Sequence, residues 1–379
     1  MQADSSILIG KRRLAADAPS YFIADIAANH DGSLQRAQDL IWLAREAGAD
    51  CAKFQHFKAE KIVSDRGFRA LGAQQGHQAR WSRPVFDVYR QYELNREWNA
   101  TLAATARQAG IDFMTTPYDD EAVDSVDALV PAWKIGSGDI TWPSFIARVA
   151  RTGKPVLLAT GASNLADVDR AVAAVLAVHP RLVLMQCNTN YTGSLENFRF
   201  INLRVLHTYA RRYPGVLLGL SDHSPGHAAV LGAIAMGARA IEKHFTDDNS
   251  RDGPDHAFAM NPRTWKEMVE RSRELEAALG DGVKRVEDNE AETAVLQQRC
   301  VRTVRALPAG HRLTQSDLEV LRPAPPGALR PWQLPLALGS CLREPLQAGD
   351  AVLERHLQAR PARPAGAAMT APEAEALTP

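Results

Sequence analysis

One pattern repeats along residues 21–280: a short apolar run, a polar or glycine-bearing stretch, and then a segment with helical periodicity. The eight apolar runs occupy residues 21–29, 50–55, 111–116, 132–137, 155–161, 182–188, 216–222 and 240–245. Eight strand–helix units fit a closed (β/α)8 TIM barrel, a fold of typically ~250 residues. A doubly wound open sheet is the alternative, but it often carries a glycine fingerprint after its first strand, which this sequence lacks.

Three of the predicted helices can be recognised from their apolar faces and end signals. Residues 33–48 place their small and aliphatic residues on one face, and Ser33 is suited to cap the first turn. Residues 195–214 are predicted as a single helix, on the stripe formed by Phe198, Ile201, Val205 and Tyr209. Residues 261–280 have Pro262 in the first turn, where proline is favoured.

The composition along the chain also indicates where its domains begin and end. We assign residues 1–280 to the barrel domain, 281–298 to a charged linker and 299–358 to a small β-rich domain with short strands and proline turns. Residues 359–379 are rich in proline and alanine and are predicted to be a disordered tail. Residues 56–94 form a long insertion after the second strand, at the end of the barrel where lids and substrate walls are common.

Charge and cysteine content exclude several classes of protein. Lysine and arginine balance aspartate and glutamate at 44 each, which disfavours nucleic acid or an acidic membrane surface as a partner. The sequence has no signal-peptide layout at its start and no run long enough to span a bilayer. Its four cysteines are widely spaced and match no zinc pattern, so we expect reduced thiols and a cytoplasmic location.

Polar residues gather where the predicted strands end. In a barrel, polar residues at the carboxyl ends of strands are typical of chemistry, whereas a single lysine or histidine is more often solvated or satisfied by a neighbour. The candidates are Asp25, Asn29, His30, Lys53, Gln55, Thr115, Thr116, Lys134, Ser137, Asp139, Asn188, Thr189, Asn190, Tyr191, Ser221, His223, Glu242 and His244. Their number at one end of one predicted barrel indicates a functional site.

Successive side chains of a strand point to opposite faces, so candidates two residues apart lie on the same face. Three pairs share a face in this way: Lys53 with Gln55, Ser221 with His223, and Glu242 with His244. Asp222 lies between Ser221 and His223, so it points to the other face or caps the next helix. Because three consecutive side chains cannot converge on one substrate atom, a hydrolase with Ser221 as nucleophile is disfavoured.

The charges among these residues indicate an anion site and a metal site. Inward-facing lysines at positions 53 and 134 would be costly in an apolar barrel without an anion to meet them. Hydroxyl groups and the glycine backbone of residues 136–138 add donors for a phosphate or carboxylate. His223 and His244, on adjacent strands, suit a shared divalent metal ion with open positions for water and substrate oxygen.

Seven motifs together resemble the sialic acid synthase family: FIADIAANHDGSL, KFQ, TTPYD, WKIGSGD, ATGAS, GLSDHSPG and IEKHFTDDNSRDGPDHAFAMNP. These enzymes make nine-carbon nonulosonic acids from phosphoenolpyruvate and a six-carbon amino sugar. The resemblance runs through the barrel and continues into residues 299–358, which are similar to that family's antifreeze-like (SAF) domain. It implies a (β/α)8 barrel followed by this small β-rich domain.

The resemblance also implies roles for individual positions. Phosphoenolpyruvate would be held by Lys53, Thr116, Lys134, Ser137 and Ser221. A divalent metal, manganese first and magnesium or cobalt as alternatives, would be bound by His223 and His244. The amino sugar would contact Gln55, Tyr191 and Asp255, with Asp139, Asn188, Thr189 and Asn190 nearby. The attacking water or a proton would be handled by Asp25 or Glu242.

The family pattern further implies a homodimer in which the C-terminal domain is exchanged. Arg322 matches an arginine that reaches from that domain into the barrel of the partner chain. The chain departs from the pattern at Asp25 and Asp139, where the family has glutamate, and at Thr189, which stands between two asparagines where the family has asparagine. The loop that follows Arg322 also differs.

These observations predict a synthase that condenses phosphoenolpyruvate with an open-chain sugar such as N-acetylmannosamine. The alternative is a synthase of a related acid, legionaminic, pseudaminic or another 3-deoxy-ulosonate, made from a different sugar. A non-catalytic saccharide-binding protein is a further alternative, which the presence of both histidines disfavours.

Overall fold

The computed structural model describes residues 6–72, 78 and 81–358. The chain divides into two compact units, Met1–Asp281 and Gly282–Pro379. The predicted tail at residues 359–379 lies outside the described residues, as do residues 73–77, 79 and 80 of the insertion.

The first unit is a closed barrel of eight parallel strands, so the predicted (β/α)8 fold is confirmed. It begins with an antiparallel hairpin of β1 (Ser6–Ile9) and β2 (Arg12–Ala15). The barrel strands are β3 (Tyr21–Asp25), β4 (Cys51–His56), β5 (Asp112–Pro117), β6 (Trp133–Ile135), β7 (Val156–Ala159), β8 (Leu182–Cys187), β9 (Leu217–Asp222) and β10 (Ala238–His244). Strand β10 pairs with β3 and closes the barrel.

Helices follow the strands of the first unit. They are α1 (Leu34–Glu46), α2 (Ala59–Ile62), α3 (Asp65–Ala70), α4 (Val85–Gln91), α5 (Asn99–Ala109), α6 (Asp120–Val126), α7 (Pro143–Ala150), α8 (Leu165–Leu176), α9 (Val205–Arg212), α10 (Ala228–Ala235) and α11 (Pro262–Leu279). Short 3-10 turns lie at Arg96–Trp98, Asp127–Leu129, Ser137–Asp139 and Leu195–Phe200. Within the described part of the chain, none of the helices has the length and apolar character needed to cross a membrane.

Helices α1 and α11 form as their end signals predict. Ser33 accepts a hydrogen bond from the backbone N–H of Arg36, and the buried face of α1 consists of Ala37, Leu40, Ile41 and Ala44. Asn261 caps α11 by accepting from the backbone N–H of Thr264, and Pro262 opens the first turn. In both helices an orphan backbone donor is satisfied at the N-terminus.

The prediction of one helix over residues 195–214 is wrong. The segment forms a 3-10 turn at Leu195–Phe200 and then α9, and Asn202 between them adopts a positive φ of 50°. A left-handed residue interrupts a right-handed helix, and asparagine tolerates that conformation better than most residues. The predicted apolar stripe still reaches the core, but it does so from two separate elements.

The N-terminal hairpin, which the sequence analysis did not predict, packs against the inner face of the barrel. Ile7, Ile9 and Leu14 join a cluster with residues from the early part of the barrel strands, Ile23 and Met114 among them. Side chains from β3 through β10 that lie nearer the carboxyl ends are polar instead. The barrel interior therefore has an apolar layer contacted by the hairpin and a polar layer at the opposite end.

The described part of the insertion at residues 56–94 is helical over much of its length. It contains α2, α3 and α4, and Lys58 and the backbone N–H of Ala59 both bind Glu93, which joins its two ends. The insertion follows the carboxyl end of β4, so it lies at the end of the barrel that carries the polar layer.

The second unit has a small core of its own. It contains α12 (Ala291–Gln297), the antiparallel strands β11 (Cys300–Thr303) and β12 (Leu318–Leu321), and α13 (Leu334–Ala337). Its 3-10 turns are Asp288–Glu290, Gln315–Asp317, Pro331–Gln333 and Glu354–His356. The core is built mainly from leucine and valine side chains, with Val301, Leu329 and Val352 fully buried.

Candidate active site at the carboxyl ends of the barrel strands

The strand register brings the predicted polar residues into one layer. Asp25 lies opposite Lys53 on β4 and opposite His244 on β10, while Glu242 lies opposite Ser221 on β9. All five side chains are buried. The parity argument therefore holds for these residues, because they share the inner face of neighbouring parallel strands.

Lys53 occupies the centre of this layer. Its Nζ lies 2.7 Å from Oδ2 of Asp25 and 3.9 Å from Oε2 of Glu242, and it donates to Oγ1 of Thr116 at 3.1 Å. Burial alone would lower the pKa of this lysine, but the two carboxylates outweigh that effect and raise the pKa above its ordinary value. Lys53 is thus a buried cation at neutral pH.

Lys134 and Glu242 form a second ion pair. Nζ of Lys134 lies 3.3 Å from Oε1 of Glu242 and donates to the backbone carbonyl of Ile135. The same Oε1 accepts from Ser221, whereas the buried Oε2 has no hydrogen-bond partner among the described residues. An unsatisfied buried carboxylate oxygen is costly, so Oε2 of Glu242 is available to a ligand or water.

Both carboxylate oxygens of Asp25 have hydrogen-bond partners, in contrast to those of Glu242. Its Oδ2 accepts from the side-chain amide of Gln55 at 3.0 Å as well as binding Lys53, and its Oδ1 accepts from the backbone N–H of Ala27 at 3.0 Å. Burial would raise the pKa of Asp25, but the charge of Lys53 and the hydrogen bond from Gln55 lower it below its usual range. Asp25 is therefore an ionised structural partner for Lys53.

His223 and His244 lie side by side, with ring centroids 5.3 Å apart. Nδ1 of His223 donates to the backbone carbonyl of Asn188 at 2.9 Å, which leaves Nε2 as the nitrogen with a lone pair in the neutral ring. Burial, together with the charges of Lys53 and Lys134, lowers the pKa of His244 to about 3, although Asp25 opposes the shift. Its buried Nδ1 has no hydrogen-bond partner among the described residues.

These two rings offer nitrogen donors, which suit a first-row divalent metal better than a hard cation such as magnesium. No group of three or more histidine, cysteine, aspartate or glutamate side chains with metal-binding spacing occurs among the described residues. A metal held here would therefore depend on two protein donors and on oxygen atoms from substrate or water. The orphan nitrogen of His244 is compatible with such a site.

A cavity opens beside the histidines. It has a volume of about 220 Å³, room for roughly seven water molecules at ~30 Å³ each, which is enough for a hexose-sized ligand. Gln55, Ser137, Tyr191, His244 and Asp255 all line it. Of the predicted sugar-contacting residues, Gln55, Tyr191 and Asp255 are therefore brought together.

Two acids near this cavity have raised pKa values. Burial raises the pKa of Asp255 to about 7 even though Oδ2 accepts from the backbone N–H of Ala28. Burial also raises the pKa of Asp139 to about 6, and its Oδ2 has no hydrogen-bond partner among the described residues. Acids poised near neutral pH next to a cavity are typical of functional sites.

Other predicted residues are engaged elsewhere. The amide of Asn188 donates to the carbonyl of Phe200, and Asn190 is exposed and accepts from Thr192 and Asn197 within its own loop. Thr189 lies against Gly161, where an added Cβ would come within 2.6 Å of the methyl group of the threonine. The backbone N–H of the same glycine donates to Oγ of Ser137 at 2.9 Å.

Asp222 faces away from the site and does not cap the next helix. It forms a buried ion pair with Lys243 and accepts from the backbone and side chain of Ser224, whereas α10 begins only at Ala228. Its ion pair with Lys243 therefore joins β9 to β10 on the face away from the site. Arg322 belongs to the second unit and is exposed there, so its role stays a prediction.

Four aromatic residues on the cavity lining, which we call the aromatic wall, are Phe57, Trp81, Tyr89 and Tyr118. The ring of Phe57 lies 5.3 Å from that of Tyr89 and 6.0 Å from that of Tyr118, and Trp81 lies 6.3 Å from Tyr89. Three of the four come from the insertion, which therefore forms a wall of the cavity.

Residues 40–284 match the NeuB family. The chain belongs to the NeuB family. Residues 298–358 match the SAF domain, so the resemblance to both parts of this architecture is confirmed.

The relatives of this NeuB chain are named as synthases of different acids. It is 34% identical to the N,N'-diacetyllegionaminic acid synthase of Legionella pneumophila, over 89% of this chain and 95% of the relative. It is 30% identical to the N-acetylneuraminate-9-phosphate synthase of Homo sapiens, over 71% of this chain and 73% of the relative. A crystal structure of the N-acetylneuraminic acid synthetase of Leptospira borgpetersenii, in complex with citrate, matches with a TM-score of 0.68 at 25% identity, over 76% of this chain and 95% of that chain.

The aromatic wall is the part of this NeuB chain's site that the sequence analysis missed. The residues at the strand ends could be predicted because side chains alternate along a strand and the carboxyl ends of parallel strands meet at one end of the barrel. The wall comes mostly from an insertion without that regularity. The clustering of Trp81, Phe86, Tyr89 and Tyr92 in a dozen residues is the signal that could have indicated it.

Proposed function

We propose that this chain condenses phosphoenolpyruvate with an open-chain N-acylated amino hexose, giving a nine-carbon 3-deoxy-ulosonic acid and phosphate. One observation carries the proposal: two buried lysines, Lys53 and Lys134, flank Glu242 beneath a sugar-sized cavity. Membership of the NeuB family and the names of the relatives support the same reaction class.

The charge balance of the polar layer determines what phosphoenolpyruvate would need in order to bind. Lys53 and Lys134 are already balanced by Asp25 and Glu242, so these four side chains together have no net charge. A substrate with both a phosphate and a carboxylate adds negative charge that this cluster alone cannot balance. An additional cation is therefore expected, and the hydroxyls of Thr116, Ser137 and Ser221 supply neutral donors.

His223 and His244 would hold that cation, and we propose manganese, with magnesium or cobalt as alternatives. When bound, a divalent cation supplies Lewis-acid polarisation of the sugar aldehyde. The hydrogen bond from His223 to the carbonyl of Asn188 fixes the orientation of that ring. The lowered pKa of His244 keeps its ring neutral, so that one ring nitrogen has a lone pair available to a metal ion.

The reaction joins C3 of phosphoenolpyruvate to the aldehyde carbon, adds water at C2 and breaks the C2–O bond, so that phosphate leaves with the bonding electrons. Glu242 is better placed than Asp25 to accept the proton of the water, because its Oε2 has no hydrogen-bond partner among the described residues. Asp25 holds Lys53 and Gln55, which orients the phosphoenolpyruvate side of the site.

Phosphate release from phosphoenolpyruvate tests this proposal. Purified protein is incubated with manganese and with either N-acetylmannosamine or a 2,4-diacetamido-2,4,6-trideoxyhexose. Release that requires phosphoenolpyruvate, metal and one of these sugars supports the condensation. Binding of either sugar without any release under all metal conditions would favour a non-catalytic saccharide-binding protein.

A further inference from the structure

A buried ion pair lies on the outer face of the barrel, behind the two histidines. Lys243 of β10 and Asp222 of β9 are direct partners in the register of these parallel strands, and both side chains are almost fully buried. His244 follows Lys243 and His223 follows Asp222 in the chain, and successive side chains of a strand point to opposite faces. The ion pair and the histidine pair therefore lie back to back.

This ion pair interrupts an apolar layer. The residues that precede it on the same face, Leu218 and Leu220 of β9 and Ile241 of β10, belong to the hydrophobic core shared by the strands and the helices. Apolar side chains at the next positions would continue that core, and a buried ion pair is often no more stabilising than apolar residues of similar volume. The stability of the barrel thus does not account for two charges at this place.

The hydrogen bonds of the pair converge on the backbone that carries His223. Nζ of Lys243 donates to the carboxylate of Asp222 and to the backbone carbonyl of Ser224, the residues on either side of the histidine. Oδ1 of Asp222 accepts from the backbone N–H of Ser224 at 3.0 Å, and Oδ2 accepts from its hydroxyl at 2.8 Å. Residues 222–224 therefore form a closed turn that is anchored to the residue next to His244.

This anchor restrains a different property of His223 than its ring hydrogen bond does. The bond from Nδ1 to the carbonyl of Asn188 orients the ring, whereas the bonds of Lys243 hold the backbone at a set distance from β10. With both in place, the ring centroids of His223 and His244 are 5.3 Å apart. A cation held by two protein donors depends strongly on their spacing, because displacement of one removes half of the protein ligands.

We propose that Lys243 is a positioning residue, which with Asp222 holds the turn at residues 222–224 and so sets the spacing of His223 and His244 for a divalent cation. Its ammonium group lies on the face away from the site, so it acts through the histidines. This inference rests on the proposed function, since the cation belongs to that function, and it assigns a role to two side chains outside the site.

An apolar replacement of the whole pair tests the proposal. Asp222→Leu/Lys243→Met leaves no uncompensated charge in the core, so the Tm should stay close to that of the wild type. Manganese binding to the purified full-length protein, without substrates, is followed by electron paramagnetic resonance. We expect the Kd for manganese to rise about tenfold to a hundredfold, the usual effect of removing groups that orient metal ligands.

Two further measurements distinguish positioning from general distortion of the site. Phosphoenolpyruvate binding without metal should be the same in the double variant and the wild type, because Lys53 and Lys134 stay in place. Phosphate release should recover as the manganese concentration is raised. The control is Arg148→Met/Asp124→Leu, which removes a surface pair between α7 and α6 and should leave the Kd within about twofold.

An unchanged Kd for manganese in the folded double variant would overturn the inference. Equal losses of manganese and phosphoenolpyruvate binding would also overturn it, because the pair would then support the whole site instead of the histidines. If the double variant does not fold, Ser224→Ala decides, since it keeps both charges and removes only the hydroxyl donor to Asp222. It should raise the Kd about threefold, and an unchanged value would contradict the proposal.

These measurements keep the inference apart from the proposed condensation. Wild-type protein that binds manganese but releases no phosphate with any sugar would overturn the condensation, whereas the inference would be decided by the Kd for manganese in the variants. Wild-type protein that does not bind manganese would overturn the manganese assignment and the inference with it.

Discussion

Lys53 and Asp25 form an ion pair inside the barrel, with Nζ of the lysine 2.7 Å from Oδ2 of the aspartate and both side chains almost fully buried. A buried pair of this kind adds little net stability, but removal of one partner leaves an uncompensated charge. The pair therefore links the stability of the barrel to the chemistry of its polar layer.

We expect Lys53→Met to lower kcat/KM by roughly a hundredfold or more, because it removes a cation from the proposed phosphoenolpyruvate site. It should also lower the free energy of unfolding by about 3–5 kcal/mol. Urea unfolding and phosphate release measure the two effects. The double variant Lys53→Met/Asp25→Asn should recover part of the stability but none of the activity.

Lys266→Met is the control for that substitution, since Lys266 is exposed on α11 and lies 3.9 Å from Glu270. It should change the free energy of unfolding by less than about 1 kcal/mol. If the two lysine variants lost similar activity, the anion-binding role of Lys53 would be wrong.

His223→Ala should abolish metal-dependent phosphate release while phosphoenolpyruvate still binds, more weakly than in the wild type, because the lysine layer is left in place but the balancing cation is lost. Manganese binding, followed by electron paramagnetic resonance, should weaken in parallel. His207→Ala, an exposed histidine on α9, is the matched control. Full activity in His223→Ala would remove the metal assignment.

His56 should make the stability of the barrel depend on pH. Its Nδ1 lies 2.6 Å from Oγ1 of Thr115 and its Nε2 lies 2.6 Å from Oδ1 of Asn99, and burial lowers its pKa to about 4. The unfolded chain, with a histidine pKa near 6.5, binds more protons than the folded chain between about pH 6.5 and 4. Stability is thus fully present above about pH 6.5 and falls as the pH decreases through this window.

The size of this effect is roughly 3 kcal/mol over the full window, from about 1.36 kcal/mol for each unit of pKa change. Urea unfolding of wild type and His56→Gln at pH 7 and pH 4.5 measures it. His56→Gln should be less stable at pH 7, and the difference should narrow at pH 4.5. A constant difference would show that His56 does not titrate with unfolding.

Ile9→Ala should destabilise the first unit, because Ile9 is fully buried in the cluster between the hairpin and the barrel. Truncation of a buried isoleucine costs about 2–5 kcal/mol. Leu8→Ala is the control on the same strand, since Leu8 is 62% exposed, and should change stability by less than about 0.5 kcal/mol. Equal costs for both would contradict the packing of the hairpin.

Mixing two inactive variants tests the predicted exchange of C-terminal domains. Arg322→Ala and His223→Ala should each be inactive alone, whereas refolding them together should restore about a quarter of the activity. Half of randomly assembled dimers are mixed, and one of their two sites has both residues intact. No recovery in dimers shown to be mixed by mass spectrometry would place Arg322 with the barrel of its own chain.

The sequence predicted the polar layer because backbone geometry alone determines it. Strand parity and the common edge of parallel strands place Lys53, Glu242 and Ser221 together without knowledge of side-chain contacts. The break at Asn202 could not be predicted in this way, since a stripe of apolar residues is compatible with one helix or with two separate elements.

Features that depend on tertiary contacts were also missed. Ile9 gains its burial from residues far along the chain, and the loop interactions of Asn190 depend on Asn197 after the chain has turned. Tyr89 lines the cavity in an insertion whose end returns to the start of α2, where Glu93 accepts from the backbone N–H of Ala59. Local patterns carry no information about such distant partners.

The N-terminal hairpin has a kinetic consequence for the proposed reaction. Because Ile7, Ile9 and Leu14 fill the apolar end of the barrel, the deep lysine layer communicates with solvent through the opposite end, across the cavity of the sugar. Phosphoenolpyruvate must then arrive before the sugar, and phosphate must depart after the nine-carbon acid. Steady-state patterns should accordingly be those of compulsory ordered addition, with phosphate competing against phosphoenolpyruvate alone.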